Sequence, residues 1–240
     1  MPHVLVINPN TRQALTAQLL TQLREQLGGP GQGLQLMGAT APFGSDYIAS
    51  ESSYVVAAHA VLDAWQLHVQ QHGRPRAVLV ACFGDPGVWA LRETTGVPVM
   101  GLAEAAMREA DALGPFGIVT GGSAWAPMLA RLARGLQLGG PTRLRWVQAV
   151  EASGGEMVAN PDAGVVQLSQ ACQQLMNDDA GYVSAAQAEM DLAPRLSQPV
   201  QSIILGGAAL GGWGDRLRFE PACPLIDSVA AGGRWLQTVG

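Results

Sequence analysis

Short apolar runs punctuate this chain at regular intervals. Val4-Leu5-Val6-Ile7, Val78-Leu79-Val80-Ala81, Ile118-Val119 and Ile203-Ile204-Leu205 each stop abruptly in small or turn-forming residues. That is the pattern of a strand buried on both faces that opens into a loop. The pattern predicts strands over 3–8, 34–38, 76–82, 97–100, 115–120, 143–149, 202–206 and 223–226. Helical periodicity fills 11–27, 51–72, 87–93, 102–112, 123–137, 161–177, 182–192 and 228–238. Strands and helices alternating from end to end predict an α/β fold of parallel sheets covered by helices. Asn10-Thr11 and Ser123 stand where helix N-caps are expected.

The two halves share an outline. The first strand ends Asn8-Pro9-Asn10-Thr11, and a strand in the second half ends Val119-Thr120-Gly121-Gly122-Ser123. Cys82-Phe83-Gly84 then answers to Gly207-Ala208-Ala209. The pairing is one of position, with little residue identity behind it. It predicts two similar flavodoxin-like lobes facing each other across a cleft. Lobe 1 is expected to comprise 1–100 plus 207–240, and lobe 2 to comprise 101–206.

Composition narrows the function classes. Among 240 residues, 48% are hydrophobic and 14% charged, which excludes disorder. A net charge of -5 leaves no basic footprint for nucleic acid. No run approaches the length of a membrane span. The N-terminus enters a strand without a basic region or cleavage site, so a cytoplasmic protein is expected. Three widely spaced cysteines, Cys82, Cys172 and Cys223, fit neither a disulfide framework nor a CxxC metal site. The expected partner is a small-molecule substrate; tryptophans, if exposed, would add a homo-oligomer.

Candidate chemistry centres on Cys82, at the carboxyl end of a strand, where open α/β sheets bind ligands. Nearby helix N-termini are expected to favour its thiolate, and a thiolate removes a proton that the thiol can return. Asn10 offers an amide to a carboxylate or carbonyl, or simply makes a turn. Thr120 and Gly121 offer a hydroxyl and backbone N–H groups for an anion. Gly206-Gly207-Ala208-Ala209 lacks the spacing of a dinucleotide site. Asp85 reads as a cap for the helix after Pro86 or as an orienting group for Cys82. Cys172 and Cys223 read as packing residues, and His59, His68 and His72 as a polar helix face.

Together these motifs resemble the aspartate/glutamate/hydantoin racemase superfamily, in its hydantoin and allantoin branch. The match is carried by Ile7-Asn8-Pro9-Asn10-Thr11, Ala81-Cys82-Phe83-Gly84-Asp85-Pro86-Gly87 and Pro98-Val99-Met100-Gly101-Leu102-Ala103-Glu104-Ala105-Ala106. Val119-Thr120, Ile204-Leu205-Gly206 and Pro224-Leu225-Ile226-Asp227 follow in order. The resemblance implies pseudo-twofold lobes with the active site between them and catalysis without cofactor or metal. It implies two cysteines flanking the substrate carbon, Cys82 matching the first. It also implies that Asn10, Phe83, Gly84, Thr120, Gly121, Gly207 and Ala208 line the substrate site. Where the family pattern reads Leu-Gly-Cys-Ala-Gly, this chain reads Leu205-Gly206-Gly207-Ala208-Ala209, and Gly207 has no side chain to carry a proton. Three functions follow: a racemase or epimerase of an amino acid or hydantoin-like compound working from Cys82; a one-cysteine decarboxylase of the arylmalonate decarboxylase type; or a non-catalytic binding protein.

Overall fold

The computed structural model describes residues 3–28, 34–139, 143–177 and 199–239. The chain divides into two compact units, Met1–Ala105 with Val229–Gly240, and Ala106–Ser228.

The first unit is built on β1 (His3–Asn8), β2 (Gln35–Thr40), β3 (Ala77–Val80) and β4 (Val99–Gly101). They form one parallel sheet in the order β2-β1-β3-β4. Helices α1 (Gln13–Gln26), α2 (Glu51–His72), α3 (Val88–Thr95) and α4 (Leu102–Leu113) connect and follow them. The second unit repeats the plan with β5 (Phe116–Gly121), β6 (Leu144–Val150), β7 (Ser202–Gly206) and β8 (Leu225–Asp227), in the order β6-β5-β7-β8. Helices α5 (Trp125–Gly135), α6 (Gly154–Ala159) and α7 (Pro161–Met176) belong to it, and α8 (Ser228–Val239) ends the chain. The two orders are the same pattern with every strand number raised by four.

The apolar runs become strands because both sheet faces are covered. Leu5, Ile7, Val78 and Val80 pack with Val61, Trp65 and Leu91 in the first unit. In the second, Val119, Ile203 and Leu205 pack with Leu168, Cys172 and Leu175. Each such aliphatic side chain contributes roughly 1.5–3 kcal/mol by leaving water. Gly117 is small because Leu175 occupies the place of a Cβ there. The buried residues of α2, Ala57, Ala60, Val61, Ala64, Trp65 and His68, repeat at helical spacing.

Several expectations shift. Residues 207–228 group with the second unit and 101–105 with the first. The physical reason is pairing: β8 joins β7 through Ile203 with Leu225 and Ile204 with Ile226. Of the C-terminal stretch, α8 returns to the first unit, where Gly232 lies against Leu79 and Leu102. Helix α1 starts at Gln13 after Arg12, not at Thr11, and α5 starts after Ala124 with no side-chain cap from Ser123. Helix α6, unforeseen, opens with a capping box in which Ser153 and Glu156 satisfy each other's backbone N–H. The helix expected over 182–192 lies outside the described residues. The polar-face reading fails for His68, which is buried with its Nε2 2.8 Å from Nε2 of His3. Burial, with His3 and His72 nearby, lowers its pKa to about 4. No helix among the described residues is long and apolar enough to cross a membrane.

Candidate active site

In a parallel sheet ordered 2-1-3-4, consecutive connections leave β1 and β3 toward opposite sides. Ligands bind at the carboxyl ends of such a pair. In the first unit that position lies between Asn8 and Val80, one residue past the pairing of Ile7 with Val80. Asn10 follows one strand and Cys82 the other.

Asn8 ties the loop after β1 to α1. Its Nδ2 donates to Asn10 Oδ1 (2.9 Å), the Arg12 carbonyl (3.1 Å) and Thr16 Oγ1 (3.0 Å). Asn10 Oδ1 also accepts from the Arg12 N–H at 3.0 Å. The carboxamide oxygen of half-buried Asn10 is thus committed, and its nitrogen is the end left to donate to a ligand.

Cys82 sits two residues beyond β3, half-buried where the strand itself is fully buried. Phe83, 4% exposed, packs inward and contributes volume rather than a polar contact. Gly84 takes a φ of 146°, which favours glycine, and its carbonyl accepts the Tyr54 hydroxyl at 2.9 Å. Burial, with the neighbouring charge of Asp85, pushes the Cys82 thiol well above the ordinary thiol range. This reverses the expectation of a favoured thiolate.

Asp85 is 2% exposed and holds a left-handed φ of 58°. Its Oδ1 accepts the Ala103 N–H at 2.9 Å and its Oδ2 the Glu104 N–H at 2.7 Å. It caps α4, therefore, and not the helix after Pro86, whose N-cap is Gly87. Gly101 leaves the room: a Cβ there would fall on the Asp85 carboxyl. Glu104 in turn bonds Arg92 Nη2 at 2.6 Å, and Arg92 also reaches the Val99 carbonyl. Burial raises the Asp85 carboxyl to about 7, against the pull of the two amides and Arg92 and with a push from Glu104.

The second unit carries the other expected residues. Thr120 is buried, and its Oγ1 donates to the Gly206 carbonyl at 2.8 Å, so its hydroxyl proton is committed. Gly121 is packed so closely by Met157 and the Ala152 carbonyl that no side chain fits. Gly207 has φ 145° and ψ 124°, and its N–H donates to Ser228 Oγ at 3.3 Å. Ala208 opens a short 3-10 turn ending at Leu210. Cys172 is fully buried in the core, and Cys223 packs against the same cluster. Burial pushes Cys172 up to about 12, with Cys223 adding to the shift, and burial raises Cys223 as well. Among the described residues no cluster of three His, Cys, Asp or Glu side chains is placed to hold a metal ion. A cavity of about 240 Å³ beside β6 and α7, lined by Val150, Ala171, Glu151 and several glutamines, contains none of the expected site residues.

Sequence reasoning missed Tyr54, Ser228 and the Asp85 cap of α4. One signal was present for the last: Pro98-Val99-Met100-Gly101 supplies no capping side chain before α4.

Two parallel sheets of like order, one with a thiol and one with a glycine after its third strand, define a duplicated α/β scaffold of the racemase kind. Residues 4–202 match the family model for Asp/Glu/hydantoin racemase. The chain belongs to that family and, with it, to the isomerases. It is 27% identical over 239 residues to a hydantoin racemase of Paenarthrobacter aurescens, covering 98% of this chain and 90% of the relative. Its fold is similar to that of allantoin racemase from Klebsiella pneumoniae, with a TM-score of 0.79 at 22% identity, covering 100% of this chain and 87% of that one. A doubly substituted arylmalonate decarboxylase shares the fold more distantly, with a TM-score of 0.56 at 16% identity over 100% of this chain and 93% of that one.

Proposed function

We propose that this protein is a cofactor-independent racemase or epimerase of an amino acid or hydantoin-like compound, with Cys82 as its acid/base. The observation that carries the reading is a partly buried thiol at the carboxyl end of a fully buried strand, beside the reversal of strand order. The Cys82 thiolate takes the proton from the substrate's stereogenic carbon and leaves an enolate. The Asn10 amide nitrogen is the group we assign to a carbonyl or carboxylate oxygen, where developing charge is stabilised. Return of the proton by Cys82 restores the starting configuration. Water delivering a proton to the opposite face inverts it, and Cys82 then gives its proton to solvent. Because burial holds the thiol protonated, the base form is scarce at neutral pH and the step quickens as pH rises.

A second reading has its own support. The glycine-favouring backbone at Gly207 suits an enzyme that protonates one face only, as a one-cysteine decarboxylase does. Loss of CO₂ would make the carbanion and Cys82 would protonate it.

Proton exchange in D₂O over hydantoins, allantoin and amino acids separates the two. Exchange with loss of optical activity, abolished in Cys82→Ser, is the expected result. Exchange with configuration retained, together with CO₂ release from an aryl- or alkylmalonate, would transfer the assignment to the decarboxylase. Exchange undiminished in Cys82→Ser would remove Cys82 from the chemistry.

A further inference from the structure

The family resemblance gives Asp85 no role, and the described geometry gives it a demanding one. A carboxyl group is buried at a left-handed backbone position, over a residue that must be glycine, with both oxygens on the first amides of α4. Such an arrangement is costly. A non-glycine residue at positive φ and a desolvated carboxylate each work against folding. The two charge-assisted hydrogen bonds offset part of that cost.

The connection runs from the helix to the thiol. The Asp85 N–H donates to the Cys82 carbonyl at 3.2 Å, and the Asp85 carbonyl accepts from Val88 at 3.3 Å. The turn Cys82–Asp85 is therefore closed on itself and bolted through one side chain to α4. Tyr54 holds the same turn from α2, through the Gly84 carbonyl. Helix N-terminal amides would otherwise favour an anion beside the turn. Asp85 occupies that seat, so a carboxyl, negative above about pH 7, stands next to Cys82 in place of free helix amides.

We propose that Asp85 is a positioning residue for Cys82, fixing the turn that presents the thiol and filling the anion seat at the start of α4, so that a carboxyl and not a set of free helix amides stands beside that turn. This builds on the assignment of Cys82 as acid/base, but its test does not depend on turnover. The ionisable groups facing Asp85 are Cys82 within the turn, Glu104 on α4 and Arg92 on α3. Glu104 and Arg92 are paired with each other, which leaves Asp85 as the charge that acts on the thiol. The consequence for the reaction is a donor ready at rest and a base formed only on demand. That suits an enzyme that must hand a proton to an enolate rather than attack a carbonyl.

The test is alkylation of Cys82 by iodoacetamide in the full-length protein, followed on the Cys82 peptide by mass spectrometry across alkaline pH. In the unaltered protein the rate is expected to climb about tenfold per pH unit past the ordinary thiol range without levelling. In Asp85→Asn the curve should move to lower pH, with alkylation about threefold or more faster at each mildly alkaline pH. Gly101→Ala, which displaces the carboxyl without removing its charge, should make Cys82 more reactive in the same direction. Thermal melts at each pH establish that the variants are folded. A curve in folded Asp85→Asn that superimposes on the parent overturns the proposal. So does a gain that grows with the bulk of the reagent, seen on comparing iodoacetamide with a larger maleimide at one pH, which would mean loosened access and no change in protonation. If neither variant folds, the unaltered protein still decides: levelling at or below the ordinary thiol range overturns the proposal.

Discussion

The loops after β3 and β7 occupy the same place in two sheets of the same order, yet they are held by opposite means. After β3 the turn is fixed by side chains: Asp85 on the α4 amides and Tyr54 on the Gly84 carbonyl. It carries a half-buried thiol. After β7 the chain turns through a glycine at φ 145°, then a short 3-10 turn, with the Gly207 and Gly212 N–H groups given to Ser228 and Asp227. Its first turn, Gly207–Leu210, carries no side chain that can hold a proton. A duplicated scaffold does not oblige its two halves to share the chemistry. One loop presents a thiol, and the other takes a backbone conformation that favours glycine.

The largest effect expected from breaking the comparison is at Cys82. Cys82→Ser should lower proton exchange by about 10²–10⁴-fold, the range of a positioned acid/base. Thermal stability should change little, since serine is close in size to cysteine. A variant that keeps more than a tenth of the parent rate would make the two loops equivalent in chemistry and remove the asymmetry.

Next is an attempt to equalise the loops. Gly207→Cys restores the side chain that the family pattern carries, but the backbone there disfavours any L residue. A Cβ would also lie 3.2 Å from Leu210 Cγ and Cδ1. The expected cost is about 1–3 kcal/mol in denaturant unfolding, with no gain in racemisation. A stable Gly207→Cys enzyme that racemises faster would show that the loop readily returns to a two-cysteine geometry.

A smaller effect is expected at Thr120, whose hydroxyl ties β5 to the residue before Gly207. Thr120→Val keeps the shape and leaves the Gly206 carbonyl without that donor. Unfolding measurements should show a loss of about 1–2 kcal/mol. Exchange at Cys82 should persist, since the hydroxyl proton is committed to the backbone. Loss of exchange with stability intact would instead give Thr120 the second face.

Much of this contrast could be read in the sequence. Unbroken apolar runs identify strands buried on both faces, and the small residues that end them mark the loops. That sufficed to pair Cys82 with Gly207 by position. The Asp85 cap was only half legible: the sequence shows that no capping side chain precedes α4, but the group that supplies it lies 18 and 19 positions away from the amides it accepts. His68 misled because its spacing from His72 drew attention from the buried stripe of α2. Its partner, His3, is 65 residues away. Helix α6 was legible and overlooked, since Ser153 and Glu156 have capping-box spacing.

The finest test uses pH and stability, because Asp85 sits in the first loop and the second has no equivalent. An acid whose folded pKa is raised, to about 7 here, contributes stability below its unfolded value that is lost as pH rises toward 7. His68 acts in the opposite sense. Its folded pKa is lowered to about 4, so its stability is present above the unfolded value near 6.5 and lost as pH falls toward 4. The two windows overlap between about pH 4 and 6.5, so in the unaltered protein the two slopes oppose each other. Each substitution should uncover the other group. Asp85→Asn should lose stability more steeply on acidification through that window than the parent does. His68→Gln should lose less, or gain. Denaturant midpoints measured every half pH unit would show the two lines diverging from the parent on opposite sides. Parallel lines would mean that Asp85 titrates as an ordinary surface carboxyl, and that the two loops differ in sequence but not in the charge they bury.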